Sequence, residues 1–202
     1  MSIFTGSAPA LCTPFTPAGS FNYTTYEKLI NFQIKNGTDA LVTCGSTGEG
    51  ATLSHDEQLE VVGAAITIAR KAGERYGRKV PVIAGAGGND TAKCISLGRK
   101  LISLGVDMLM YVTPYYNLPS QRGLIAHYTQ LAAALDAPIM VYNVPVRTAV
   151  NMNAKTLAEL AKLPNVFSTG NTLLHYLCPL CQPILCRHFP CIHTVTPIRL
   201  KK

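Results

Sequence analysis

Five short apolar runs punctuate the first two-thirds of the chain: Ala10-Leu11-Cys12-Thr13-Pro14, Ala40-Leu41-Val42-Thr43-Cys44, Val80-Pro81-Val82-Ile83-Ala84, Met108-Leu109-Met110-Tyr111-Val112 and Pro138-Ile139-Met140-Val141-Tyr142. None has helical spacing, and each predicts a strand buried on both faces of a parallel sheet. Between them the apolar positions change period. Tyr26, Leu29, Ile30, Gln33 and Ile34 fall on one helical face, with Gly37 as the stop. Ser54 and Glu57 form a capping-box pattern ahead of Leu59, Val61, Val62 and Ile66, and Gly73 is the expected end of that helix. Thr91 to Leu104 closing on Gly105, Gln121 to Leu135 and Ala154 to Leu163 supply three more. Strand and helix alternate in this way through five units, and a sixth run breaks off at about Ser168. Such alternation predicts an α/β fold of right-handed βα units, with the polar clusters that follow each strand gathered at one end of the sheet. Chemistry in such folds sits at that end.

Composition adds limits. At 202 residues, 48% hydrophobic and 14% charged, the chain can bury a real core. The formal net charge of +7 suggests nucleic acid until it is divided along the sequence. Residues 1–168 carry only +3, and Arg187, Arg199, Lys201 and Lys202 supply the rest with no acid among them. Phe189 is the one Phe, Tyr or Trp among those cations, too few for interleaved stacking, so no nucleic-acid partner is expected. No apolar stretch is long enough for a membrane span and the first residues lack a basic leader, so the expected location is cytoplasmic. Cys12, Cys44 and Cys94 read as buried, reduced, small hydrophobes.

Three of the polar clusters can carry chemistry. Gly45-Ser46-Thr47-Gly48-Glu49 follows the second run, and its amides and hydroxyls can hold a carboxylate or phosphate; alone, it is equally a tight turn. Thr113-Pro114-Tyr115-Tyr116-Asn117 places two phenols after the fourth run, where packing or a subunit contact is the plain alternative. Tyr142-Asn143-Val144-Pro145-Val146-Arg147-Thr148 ends the fifth run on a phenol able to relay protons, five positions before a guanidinium able to grip a carboxylate. A core tyrosine and a surface ion pair are the plain alternatives there.

Taken together, the three clusters resemble the motifs G-[ST]-T-G-E, T-P-Y-Y and Y-N-x-P-x-R-T of the pyruvate-dependent class I aldolase and lyase family, most nearly its dihydrodipicolinate synthase branch. The similarity runs over residues 1–167 and takes in Gly6-Ser7 to Thr13-Pro14, Val80 to Gly85 with Asn89, and Pro164-Asn165-Val166. It implies a (β/α)8 TIM barrel, incomplete here at about five βα units and the start of a sixth strand. It also implies condensation of pyruvate with L-aspartate semialdehyde through a lysine Schiff base, on the route to diaminopimelate and lysine, without a cofactor. Homodimers or homotetramers are the implied assemblies. By position, Ser46 and Thr47 would hold the pyruvate carboxylate, Tyr142 would be the general acid and base, and Ser46 and Tyr116 would complete a hydroxyl relay. Tyr116 would do so in a neighbouring subunit. Arg147 would bind the semialdehyde carboxylate. Arg147 and the paired tyrosines favour this branch over the N-acetylneuraminate lyases, which fit the Gly-Ser-Thr-Gly-Glu loop equally well. His55, Asn89 and Tyr115 match positions where lysine-sensitive relatives bind their effector. Lys93 stands where those relatives have a glutamate, so insensitivity to lysine is expected of a full-length version.

The imine-forming lysine has no counterpart. The chain reads Asn165-Val166-Phe167-Ser168-Thr169-Gly170-Asn171, and an ungapped alignment puts Gly170 at its position; alternatively, Thr169-Gly170-Asn171 is the family's own strand ending with the lysine segment deleted. The expectation is an inactive chain. Residues 1–168 then form the barrel part, and 169–202 an unrelated tail. Thr172 to Lys202 holds four cysteines, three histidines and four prolines, without Gly, Asp or Glu, as translation in a shifted frame would produce. Cys178, Cys181, Cys186 and Cys191, with His188 and His193 nearby, have the spacing of a zinc knuckle but not its glycine and aromatic residues, so no metal is expected. A carboxylate-binding or zinc-binding protein without turnover is the competing class. Open sheet edges at strands one and five are also expected, and with them aggregation and broad unfolding.

Overall fold

A computed structural model describes residues 3–171, together with the backbone of residues 192–194 and 196–197. The elements run β1 (Ser7–Pro9), α1 (Tyr23–Lys35), β2 (Leu41–Thr43), α2 (His55–Tyr76), β3 (Val82–Gly85), α3 (Thr91–Ser103), β4 (Met108–Val112), α4 (Gln121–Ala134), β5 (Ile139–Asn143), α5 (Pro145–Thr148), α6 (Ala154–Leu160) and β6 (Val166–Asn171). Two short strands follow, β7 (Ile192–Thr194) and β8 (Thr196–Pro197). Strands β2 to β6 pair in parallel and in sequence order, and β1 joins β2 through the Ala10–Val42 bridge. This is the wall of a (β/α)8 barrel as far as its sixth stave.

Alternation along each strand builds two apolar layers. Leu41, Val82, Leu109, Tyr111, Ile139 and Val141 pack outward with the helices. Their neighbours Val42, Ile83, Met108, Met110, Met140 and Tyr142 form a second cluster, on the barrel side. Side-chain oxygens open five helices, from Asn22, Ser54, Asp90, Ser120 and Asn153, each accepting from a first-turn amide. The Ser54–Glu57 capping box is complete, and its hydrogen bonds hold the Glu57 carboxyl below the usual range.

Several expectations are corrected. α2 does not stop at Gly73 but runs another turn to Tyr76, ending on the left-handed Gly77. Gly73 is instead a packing residue: a Cβ there would lie 2.5 Å from the Arg78 carbonyl oxygen. The first strand is Ser7–Pro9 rather than residues 10–14, which run on beside β2 with Leu11 N–H donating to the Val42 carbonyl at 2.8 Å. Cys12 is exposed, since it lies past the end of β1, whereas Cys44 and Cys94 are buried as expected. Burial pushes both of those thiols up to about 11. Strand five is not an edge, since β6 pairs with β5 along its length; of the two edges that remain, β1 pairs with β7, and β6 pairs with β8 at Ser168 and Thr169. Cys178, Cys181, Cys186, Cys191 and His188 lie outside the described residues, so the structure says nothing of the knuckle spacing. Among the described residues no cluster of His, Cys, Asp and Glu could hold a metal ion, and no helix is long and apolar enough to cross a membrane.

His127 makes the fold acid-sensitive. It is buried on α4 edge-on to Tyr128, with Nδ1 2.8 Å from Thr91 Oγ1 and Nε2 without a partner among the described residues. Burial pushes its pKa down from 6.5 to about 4. With the folded value below the unfolded one, the stabilisation is complete above pH 6.5 and drains away as pH falls toward 4. The loss by pH 4 is at most about 3 kcal/mol. Urea midpoints at pH 7 and pH 4.5 should therefore differ more for the unmodified chain than for His127→Leu; equal differences would refute the assignment.

Candidate active site

Among the described residues, five that are not glycine have left-handed backbone: Cys44, Glu49, Tyr116, Leu118 and Ala149. All belong to loops that follow β2, β4 and β5, at the carboxyl end of the sheet. Each such conformation costs about 1–2 kcal/mol and persists only where its surroundings enforce it. Cys44 shows how. At φ 52° it ends β2 by turning its carbonyl aside, and that oxygen enters the space over two glycines. A Cβ on Gly50 would lie 2.1 Å from it, and one on Gly85 2.2 Å. The glycine loop is further held by Thr13 Oγ1, which donates to the Gly48 carbonyl at 2.6 Å.

These loops surround a cavity of about 360 Å3 lined by the loop after β2, by Gln58 of α2 and by residues from β3, β4, β5 and α5. Ser46, Tyr115, Tyr142 and Arg147 all border it, so three clusters separated by up to a hundred positions in sequence share one mouth. Tyr142 is buried at the base, and Arg147 is exposed with no ion pair among the described residues. Arg147 is carried by α5, a one-turn helix with Pro145 at its first position, where the sequence pattern predicts a loop. Thr148 pins that turn to β4, its Oγ1 accepting from Thr113 Oγ1 at 3.1 Å.

Not every expected residue reaches the cavity. Thr47 is half-buried in the turn beside it and is not part of the lining. Tyr116 stands 90% exposed, directed away by its φ of 72°. His55 and Asn89 are exposed outside it, with the Asn89 carbonyl accepting from Asn117 Nδ2 at 3.0 Å. Lys93 also faces solvent, 3.8 Å from Asp90. Gln58 was missed. It is buried against the cavity, its Nε2 donating to the Gly50 carbonyl at 2.5 Å and its Oε1 without a partner among the described residues. Its place one helical turn after the Ser54 cap, behind a glycine loop, was the available signal.

Behind the mouth, Tyr26 Oη lies 2.8 Å from Thr43 Oγ1, next to Cys44. Burial pushes the Tyr26 phenol up, so this group stays protonated and structural. The eight lysines among the described residues are all exposed, and none lines the cavity. A larger cleft of about 560 Å3 lies at the α2–β3 turn, lined by Arg70, Arg78, Lys79 and Asp107. Lys79 pairs with Asp107 at 2.6 Å, and Arg78 donates to the Ile34 carbonyl at 2.5 Å.

With the mouth assembled, known proteins give it a context. The model of the dihydrodipicolinate synthetase family matches residues 3–175. The 4-hydroxy-tetrahydrodipicolinate synthase of Sphingopyxis alaskensis is 49% identical over 164 residues, which are 81% of this chain and 54% of that enzyme. Among solved structures, a dihydrodipicolinate synthase of Bacillus anthracis superposes with a TM-score of 0.81 at 36% identity, over 88% of this chain and 58% of its own. The chloride-inhibited dihydrodipicolinate synthase of Acinetobacter baumannii, complexed with pyruvate, gives 0.78 at 38% identity over 83% and 55%. The chain spans about half the length of the curated relatives it matches.

Proposed function

The chain belongs to the dihydrodipicolinate synthetase family, and from that premise we propose that its mouth is the 2-oxo-acid pocket of a pyruvate-condensing lyase, retained without the amine that drives turnover. The observation that carries this is the joint lining of one cavity by Ser46, Tyr142 and Arg147 while every described lysine faces solvent elsewhere. Ser46, at the tip of the glycine loop, binds the pyruvate carboxylate with Thr47 beside it. Tyr142 is the acid and base, the group that would move protons as a carbinolamine formed and an enamine was made. Arg147 takes the carboxylate of the second substrate, L-aspartate semialdehyde, and its free guanidinium favours this reaction over that of the sialic-acid lyases. Tyr116 completes the relay in a second copy, which its outward posture supports. His55, Asn89 and Tyr115 are the remnant of an effector site that Lys93 makes hostile to lysine.

The chemistry explains why the pocket alone is insufficient. Condensation requires a carbanion next to a ketone, and a protonated imine is the electron sink that lets it form. Hydrogen bonds polarise the ketone but do not delocalise the charge. The account therefore separates binding from chemistry. We expect weak, reversible pyruvate binding by saturation-transfer NMR, reduced about tenfold in Ser46→Ala, since a hydrogen bond to a charged group contributes about 1.5 kcal/mol. Binding unaffected by Ser46→Ala would place the carboxylate elsewhere. We attribute the tail to a shifted reading frame, which the coding DNA around codons 167 to 172 tests.

A further inference from the structure

An incomplete barrel presents two edges, and here the same run of chain pairs with both. Residues 192–194 run antiparallel to β1, with Ser7 opposite Thr194, Ala8 opposite His193 and Pro9 opposite Ile192. Residues 196–197 run antiparallel to β6, with Thr169 opposite Thr196 and Ser168 opposite Pro197. Both ladders descend in the same direction, from the mouth toward the amino-terminal end of the wall. Both stretches thus run opposite in direction to the strands that they pair with, one on the first strand and one on the sixth.

The backbone of β1 is prepared for this. The Ser7 N–H donates to the Asp39 carboxylate at 2.7 Å, and its carbonyl accepts from Asp39 and Ala40, so Ser7 is spent on the β2 side. Successive residues of a strand direct their backbone groups to alternate edges, so Ala8 offers its N–H and carbonyl to the open side, opposite His193. Neighbouring strands lie about 4.8 Å apart, so one extended segment spans edges roughly 10 Å from each other. Ile192, Thr194 and Thr196 are β-branched, which suits an extended backbone whatever the origin of the tail.

We propose that the gap between β1 and β6 is a strand-binding slot, occupied in cis by residues 192–194 on the β1 side and 196–197 on the β6 side, which keeps both edges from recruiting the same segments of a second copy. The contact is main-chain, so a substitution that removes a backbone donor must act where one that trims only the side chain does not. Hydrogen exchange of the full chain, read by mass spectrometry, tests it with His193→Pro and His193→Ala. In the unmodified chain and in His193→Ala, residues 192–194, residues 196–197 and the peptide containing Ala8 exchange at least about tenfold more slowly than unstructured chain. In His193→Pro that protection disappears from all three, and sedimentation velocity shows species larger than those of the unmodified chain. Should 192–194 and 196–197 exchange as free chain in the unmodified protein, the proposal is overturned without recourse to a variant. It is equally overturned if His193→Pro leaves the Ala8 peptide protected and the sedimentation profile unchanged.

Discussion

Replacing Gly170 with lysine should give the chain a pyruvate adduct that borohydride traps, where the unmodified chain gains none. The reason lies in the register of β6. Past the irregularity at Ile139 and Met140 the parallel ladder pairs Tyr142 with Gly170 and Asn143 with Asn171. Residues opposite one another in a parallel ladder share a side of the sheet, so a side chain introduced at 170 emerges beside Tyr142, toward the cavity. Its surroundings include Met110, Met140 and Val144, which disfavour an ammonium charge. A lysine there is more often neutral than one in water, and a neutral amine is what attacks a ketone. Intact mass after pyruvate and borohydride checks it, with the modified residue found by peptide mapping and folding confirmed by circular dichroism. A folded Gly170→Lys chain without an adduct at 170 would mean that the register does not deliver this position to the pocket.

Gly85→Ala should cost the fold about 3 kcal/mol or more. Gly85 ends β3 against Cys44, and a methyl there would stand 2.2 Å from the Cys44 carbonyl oxygen and 3.1 Å from Gly45 N, both backbone atoms within the glycine loop. Neither can yield as a flexible side-chain tip would, and Cys44 already holds an unfavourable conformation. Gly63→Ala is the contrasting case: nothing lies within 4 Å of the added carbon in the middle of α2, so helix propensity should raise stability by about 0.5–1 kcal/mol. Urea unfolding of the two variants measures the difference. A Gly85→Ala chain within about 1 kcal/mol of the unmodified one would show that the loop has slack, and that Ser46 is less firmly placed than argued.

Much of this was readable in the residues, for reasons that differ by element. Runs such as Met108 to Val112 declare a doubly buried strand because both of its faces are apolar. The Ser54–Glu57 box declares a helix start because two orphan donors are satisfied locally. Gly73 misled because a glycine needed for close packing against Arg78 looks the same as one needed for a left-handed turn. Cys12 misled because burial depends on where a strand stops, and Pro9 ends β1 before it. α5 is a single turn, too short for any period to register. Of the cavity's lining, Ser46, Tyr142 and Arg147 were legible from their loops, since a βα repeat brings strand ends together wherever they lie in sequence; of the paired tyrosines it is Tyr115, expected at an effector site, that borders the cavity and not Tyr116. Gln58 was not, because its part is set by a contact with the Gly50 carbonyl that only the folded loop creates. Nor was the pairing of residues 192–194 with β1 and of 196–197 with β6, which uses backbone groups that every residue type other than proline carries in full.

What most directly separates a disabled lyase from a working one is the intact mass of the unmodified chain after pyruvate and borohydride. The account predicts an unchanged mass with every lysine unmodified, alongside reversible pyruvate binding. A stable pyruvate-derived increment on any lysine of this chain would contradict it.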